Sequence, residues 1–83
     1  MKQYIVIFQS IIGGGERPFV TDYSWDGEYF NKFSSVKKHG LKTRDSDDFN
    51  IGHVKDGKLI GFYWMDEEME GYDLDEIADS IGL

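Results

Sequence analysis

The chain contains no cysteine. That excludes disulfides, thiolate zinc sites and thiol nucleophiles, and nothing in the composition points to an oxidising compartment. No apolar run approaches the ~18 residues that a membrane-spanning helix needs. The opening stretch, Met1-Lys2-Gln3-Tyr4-Ile5-Val6-Ile7-Phe8, has one basic residue and no small-residue cleavage signature. It reads as a first strand, not a signal peptide, and we expect a cytoplasmic protein. Proline occurs once, as Pro18. Basic residues are missing altogether from the last eighteen positions. There, Asp66, Glu67, Glu68, Glu70, Asp73, Asp75, Glu76 and Asp79 are eight acids with no counterpart. Residues 1–65 sum to +1 and this segment to −8, which gives the net charge of −7. A one-signed end repels nucleic acid and anionic membranes and attracts basic partners.

What is present fits one small domain spanning residues 1–83, without repeats, linkers or low-complexity segments. Thirteen aromatics argue for a real core, since disordered acidic chains are poor in them. Residues 4–12 are apolar at nearly every position, which fits a strand buried on both faces. Gly13-Gly14-Gly15 ends it, and residues 13–24 read as a loop with a short extended piece at Phe19-Val20. A helix is expected from Asp26 or Gly27 to Lys38, with Tyr29, Phe30, Phe33 and Val36 on one face and Gly40 as its left-handed cap. Residues 41–48 form a polar connection.

Asp56-Gly57 between two apolar runs predicts a two-residue hairpin turn. The count then sets Lys55 opposite Lys58, Val54 opposite Leu59 and Gly52 opposite Gly61. In that register Ile51, Ile60, Phe62 and Trp64 share one side. Asp73 and Glu76 resemble a capping box, Tyr72 and Ile77 occupy the staple positions, and Leu74, Ile77, Ala78 and Ile81 form a buried stripe closed by Gly82. The expected architecture is α+β in the order β-α-β-β-α. It has a three-stranded, mainly antiparallel sheet with both helices on one face.

Motifs for chemistry are few. Ser34 and Ser35 fall in a helix without a strained elbow, and the acids sit in an exposed-looking run, whereas carboxylate catalysis needs one group desolvated. Asp45, Asp47 and Asp48 lack the glycine and the glutamate of an EF-hand loop. Gly13-Gly14-Gly15 lacks the Lys-Ser/Thr of a phosphate loop. No cofactor or metal is expected. Lys32, Lys37, Lys38, His39, Lys42 and Arg44 form a basic cluster that reads first as a solvated helix face.

We therefore expect a small acidic, non-catalytic protein that engages a basic partner protein. The contact surface would be Asp66, Glu67, Glu68, Glu70, Tyr72, Asp73, Asp75 and Glu76. One version is an inhibitor of a nucleic-acid-binding protein, with carboxylates where phosphates would sit. The bland reading of the same run is a solvated face that keeps a small domain soluble. The alternative function is a self-associating accessory domain, a homodimer held by sheet edges or by opposite charge patches. A third is a small metal protein or enzyme using His53 with Asp45, Asp47 or Asp48.

Overall fold

The computed structural model describes residues 2–12, 20–44 and 49–83, with the side chains of residues 2, 10–12, 20, 21 and 44 outside the description. The elements in chain order are β1 (Lys2–Ile12), β2 (Val20–Trp25), α1 (Phe33–Arg44), β3 (Asn50–Lys55), β4 (Lys58–Trp64), β5 (Glu67–Glu68) and α2 (Leu74–Ile81). The strands form one antiparallel sheet in the order β2-β1-β3-β4-β5. The α+β class and the two helices are as expected; the sheet has five strands, not three. Two strands escape the sequence reading for different reasons. In β2, polar Asp22 and Ser24 alternate with Tyr23 and Trp25, which pack into the core, but the run is brief and half of it is hydrophilic. β5 is two glutamates, too short for any periodic signal.

The helices cover opposite faces of the sheet, which corrects the expectation that they share one. Ile5 and Ile7 of β1 pack with Val54, Leu59, Phe62 and the α2 residues Ile77 and Ile81. Val6 points the other way and packs with Ile51, Phe49 and Val36 of α1. The cause lies in β1 itself. Ile5, Val6 and Ile7 are all fully buried, and a strand that is apolar on both sides needs cover on both. Each such side chain contributes roughly 1.5–3 kcal/mol by leaving water.

The β3–β4 hairpin begins in the expected register, with Lys55 opposite Lys58 and Val54 opposite Leu59. Asp56 and Gly57 both take positive φ, 53° and 76°, as that turn demands. A bulge at Ile60 then shifts the pairing, so His53 faces Gly61, Gly52 faces Phe62 and Ile51 faces Tyr63. One extra residue turns every later side chain to the other face. Phe62 moves to the α2 side, Tyr63 joins Ile51 on the α1 side, and Ile60 is left 46% exposed. Gly52 and Gly61 are consequently not opposite each other. Ile5, Ile7 and Leu59 fill the space above Gly52.

α1 starts and ends later than its apolar spacing suggests. Phe30 exchanges two 2.8 Å backbone hydrogen bonds with Tyr4, which holds it extended against β1. At the other end Gly40 lies inside the helix, because the ring of Phe49 packs where a side chain would stand. α2 matches its cap, its buried isoleucines and its closing glycine. Asp73 accepts a 3.2 Å bond from the Glu76 amide, Gly82 closes the helix at φ 84°, and Ile77 and Ile81 are buried. The indole of Trp25 donates a 2.9 Å bond to the Ile81 carbonyl, tying β2 to the last turn.

Candidate functional site

Seven of the eight acids of the C-terminal segment have no lysine or arginine within ion-pair distance among the described residues; Asp66 is the exception, paired with Lys37 of α1 at 3.0 Å. Met65 and Asp66 make a tight turn that sets Trp64 opposite Glu67 and Tyr63 opposite Glu68. Alternation therefore splits the two glutamates of β5. Glu68 shares the α1 side with Tyr63, whose hydroxyl it accepts as a hydrogen bond. Glu67 shares the α2 side with Trp64.

The remaining acids follow α2. Asp73 caps it, Asp75 and Glu76 lie in its first turn where the helix dipole favours negative charge, and Asp79 lies one turn on. Tyr72 packs its ring on Phe62 at 5.0 Å and stays 39% exposed. Tyr72 and Glu76 also approach Tyr23 of β2. Burial first, and then these two neighbours, push the Tyr23 phenol above its usual 10.0. The acidic surface is thus narrower than the sequence reading. Glu67, Tyr72, Asp73, Asp75 and Glu76 belong to β5 or the α2 side, and Glu70 lies in the loop between them. Asp66 and Glu68 face α1. Trp64, 41% exposed and directly opposite Glu67, is an aromatic member that the sequence reading leaves out. Its signal is its place two residues after Phe62 on the same face.

Of the basic cluster, Lys32 precedes α1 and Lys37, Lys38, His39, Lys42 and Arg44 lie within it, and the helix carries no acid. α1 itself is basic and the α2 side acidic, with the sheet between them, although Asp26, Glu28, Asp66 and Glu68 also lie toward α1. His53 stacks on Tyr4 at 4.6 Å, a packing role. Asp45, Asp47 and Asp48, the expected partners of a histidine, lie outside the described residues.

A different set of metal-ligating side chains does converge. His39 Nε2 stands 2.7 Å from Asp26 Oδ2 and 3.3 Å from Glu28 Oε2, and the three ligand atoms lie within 4.8 Å of one another. This grouping joins the loop before α1 to the middle of α1. Spacing alone does not reveal it, because residues 26–28 read as the start of the helix.

Comparison of the chain with protein-family models, with curated proteins and with solved structures finds no match.

Proposed function

We propose that this chain is a small non-catalytic binding protein that docks on a basic partner protein through the acidic α2 side of its sheet. One observation carries the reading. Glu67, Glu70, Asp73, Asp75, Glu76 and Asp79 are exposed and lack lysine or arginine partners among the described residues. Two half-exposed aromatics, Trp64 and Tyr72, stand among them. Carboxylates fixed on a strand and a capped helix lose little freedom on binding. Aromatics within a charged surface are the residue types that anchor protein contacts.

The test is capture at graded salt. The immobilised chain should retain basic proteins from its source cells at low ionic strength and release them as salt rises. The triple variant Glu67→Gln, Glu70→Gln, Asp75→Asn should lose that retention while keeping the wild-type melting temperature. Retention by the variant equal to wild type would exclude docking through this side. Competition by duplex DNA tests the phosphate-mimicking version separately; if DNA does not displace the captured protein, docking stands and mimicry fails.

A second reading, self-association, draws on the basic helix α1 and the acidic α2 side, which lie on opposite faces of the sheet. A two-fold dimer presents the same patch from both copies. Charges on opposite faces cannot meet that way, so charge pairing by itself gives head-to-tail stacking. Of the two sheet edges, β5 disfavours strand pairing, since two glutamates would meet two glutamates, which leaves β2 as the edge for a two-fold dimer. Sedimentation velocity across a hundredfold concentration range separates the readings: a constant monomer excludes stacking, and growth with concentration supports it.

A further inference from the structure

We propose that Asp26, Glu28 and His39 form a binding site for a divalent first-row transition ion, with Zn²⁺ as the best fit. The inference is independent of the acidic α2 side, because these residues lie in the loop before α1 and in α1 itself.

The donor set comes first. One imidazole nitrogen and two carboxylate oxygens suit Zn²⁺ and its neighbours, whereas Ca²⁺ and Mg²⁺ favour oxygen alone. Both carboxylates aim at the same nitrogen, Nε2, at 2.7 and 3.3 Å. A single N–H satisfies one of them well, and no other cation stands within ion-pair distance of either among the described residues. Two like charges are thus held close around one small donor. Such an arrangement gains from a compact cation placed between them.

The distances follow. Ligand atoms bound to zinc at about 2.1 Å in tetrahedral geometry lie roughly 3.4 Å apart. The 3.3 Å separation of His39 and Glu28 already matches that spacing. The 2.7 Å contact to Asp26 is a hydrogen bond whose proton the ion would replace, opening it by a few tenths of an ångström.

The scaffold is held from three sides. Phe30 packs against the His39 ring at 4.8 Å and is itself bonded to Tyr4 of β1 through two 2.8 Å backbone contacts. The Glu28 amide donates to Asp26 Oδ1 at 3.1 Å, which leaves Oδ2 turned to His39. The side chains of Asp26 and His39 are 26% and 25% exposed and that of Glu28 59%, so the site is open to an ion from solvent. Three protein ligands leave room for water, and the ion would staple the Asp26–Glu28 loop to α1.

Zinc chloride alone is the probe, with the full chain. Isothermal titration should show one saturable site, and one equivalent of Zn²⁺ should raise the melting temperature, since a ligand of the folded state stabilises it. Equimolar Mg²⁺ should do neither. Glu28→Gln, an exposed change that leaves the fold intact, should weaken Zn²⁺ binding by at least about tenfold, and His39→Gln by more. His53→Gln should leave it unchanged. The ¹⁵N resonance of His39 Nε2 should move on Zn²⁺ addition. Absence of a saturable site, or equal affinity in Glu28→Gln and wild type, would overturn the proposal. So would a shift at His53 in place of His39.

Discussion

Lys37 Nζ lies 3.1 and 3.0 Å from the two carboxylate oxygens of Asp66, so one lysine of α1 holds one acid of the C-terminal segment with both of its oxygens. The contact closes the turn between β4 and β5 onto the α1 side. Asp66 is 74% exposed and Lys37 29%, so water competes for both. Lys37→Met or Asp66→Asn should therefore cost only about 0.2–1 kcal/mol in urea unfolding, and less in high salt. A loss above about 2 kcal/mol would show that this pair anchors the turn.

The Trp25 indole and the Ile81 carbonyl join the outermost strand on one edge to the end of α2. The last carbonyls of a helix have no partner within it, and this one is supplied from another element. Trp25→Phe keeps the ring packing and removes the donor. We predict a loss of about 1–2 kcal/mol in denaturant melts, with faster amide exchange confined to the last turn of α2. Uniform acceleration across the sheet would mean that Trp25 acts by packing instead.

Gly40 is a glycine that a helix would normally replace with alanine, at a gain of about 1 kcal/mol. Here a Cβ would meet Phe49, with Cδ2 only 2.6 Å away, and Phe49 is buried at 2% exposure. Overpacking of this kind costs about 1–3 kcal/mol. Gly40→Ala should lower stability by about 1–2 kcal/mol by chemical denaturation. Adding Phe49→Leu should recover part of that loss, because the collision disappears with the ring. A stabilised Gly40→Ala would place the ring elsewhere.

This glycine also marks where sequence reading stops. The bounds of α2 are legible, because Asp73, Glu76 and Gly82 act on their own helix and need no distant partner. The Asp56-Gly57 turn is equally local. Gly40 resembles a cap until Phe49, nine residues on, occupies its missing side chain. Phe30 has helical spacing from Phe33, yet its backbone belongs to Tyr4, twenty-six residues back. Gly61 in mid-strand is the local hint of the bulge at Ile60, but not of its direction, which satisfies the demand of both faces of the sheet for large apolar cover. The acidic surface was legible as composition, but its division between the two sides depends on that register. The meeting of Asp26 and Glu28 with His39 depends on the placement of α1, which no local pattern encodes.

Tyr63 gives the fold a measurable response to alkali. It stands opposite Glu68 on the α1 side, and burial above all raises its phenol above the usual 10.0, followed by the charge of Glu68, the hydrogen bond to it, and Tyr4. Tyr23 is raised likewise, by burial and then by Tyr72 and Glu76. Below pH 10 both phenols are protonated in the folded and the unfolded chain, and their contribution to stability is fully present. Above it the unfolded chain gives up protons that the folded chain keeps. Stability is then lost as pH rises towards the folded values. Unfolding free energy should fall between pH 10 and the folded transition, and Tyr63→Phe should flatten that fall while shifting stability only slightly at pH 7. The double variant Tyr23→Phe, Tyr63→Phe should flatten it further. Urea melts at half-unit pH steps decide the matter, and an unchanged slope in both variants would assign the alkaline loss to other groups.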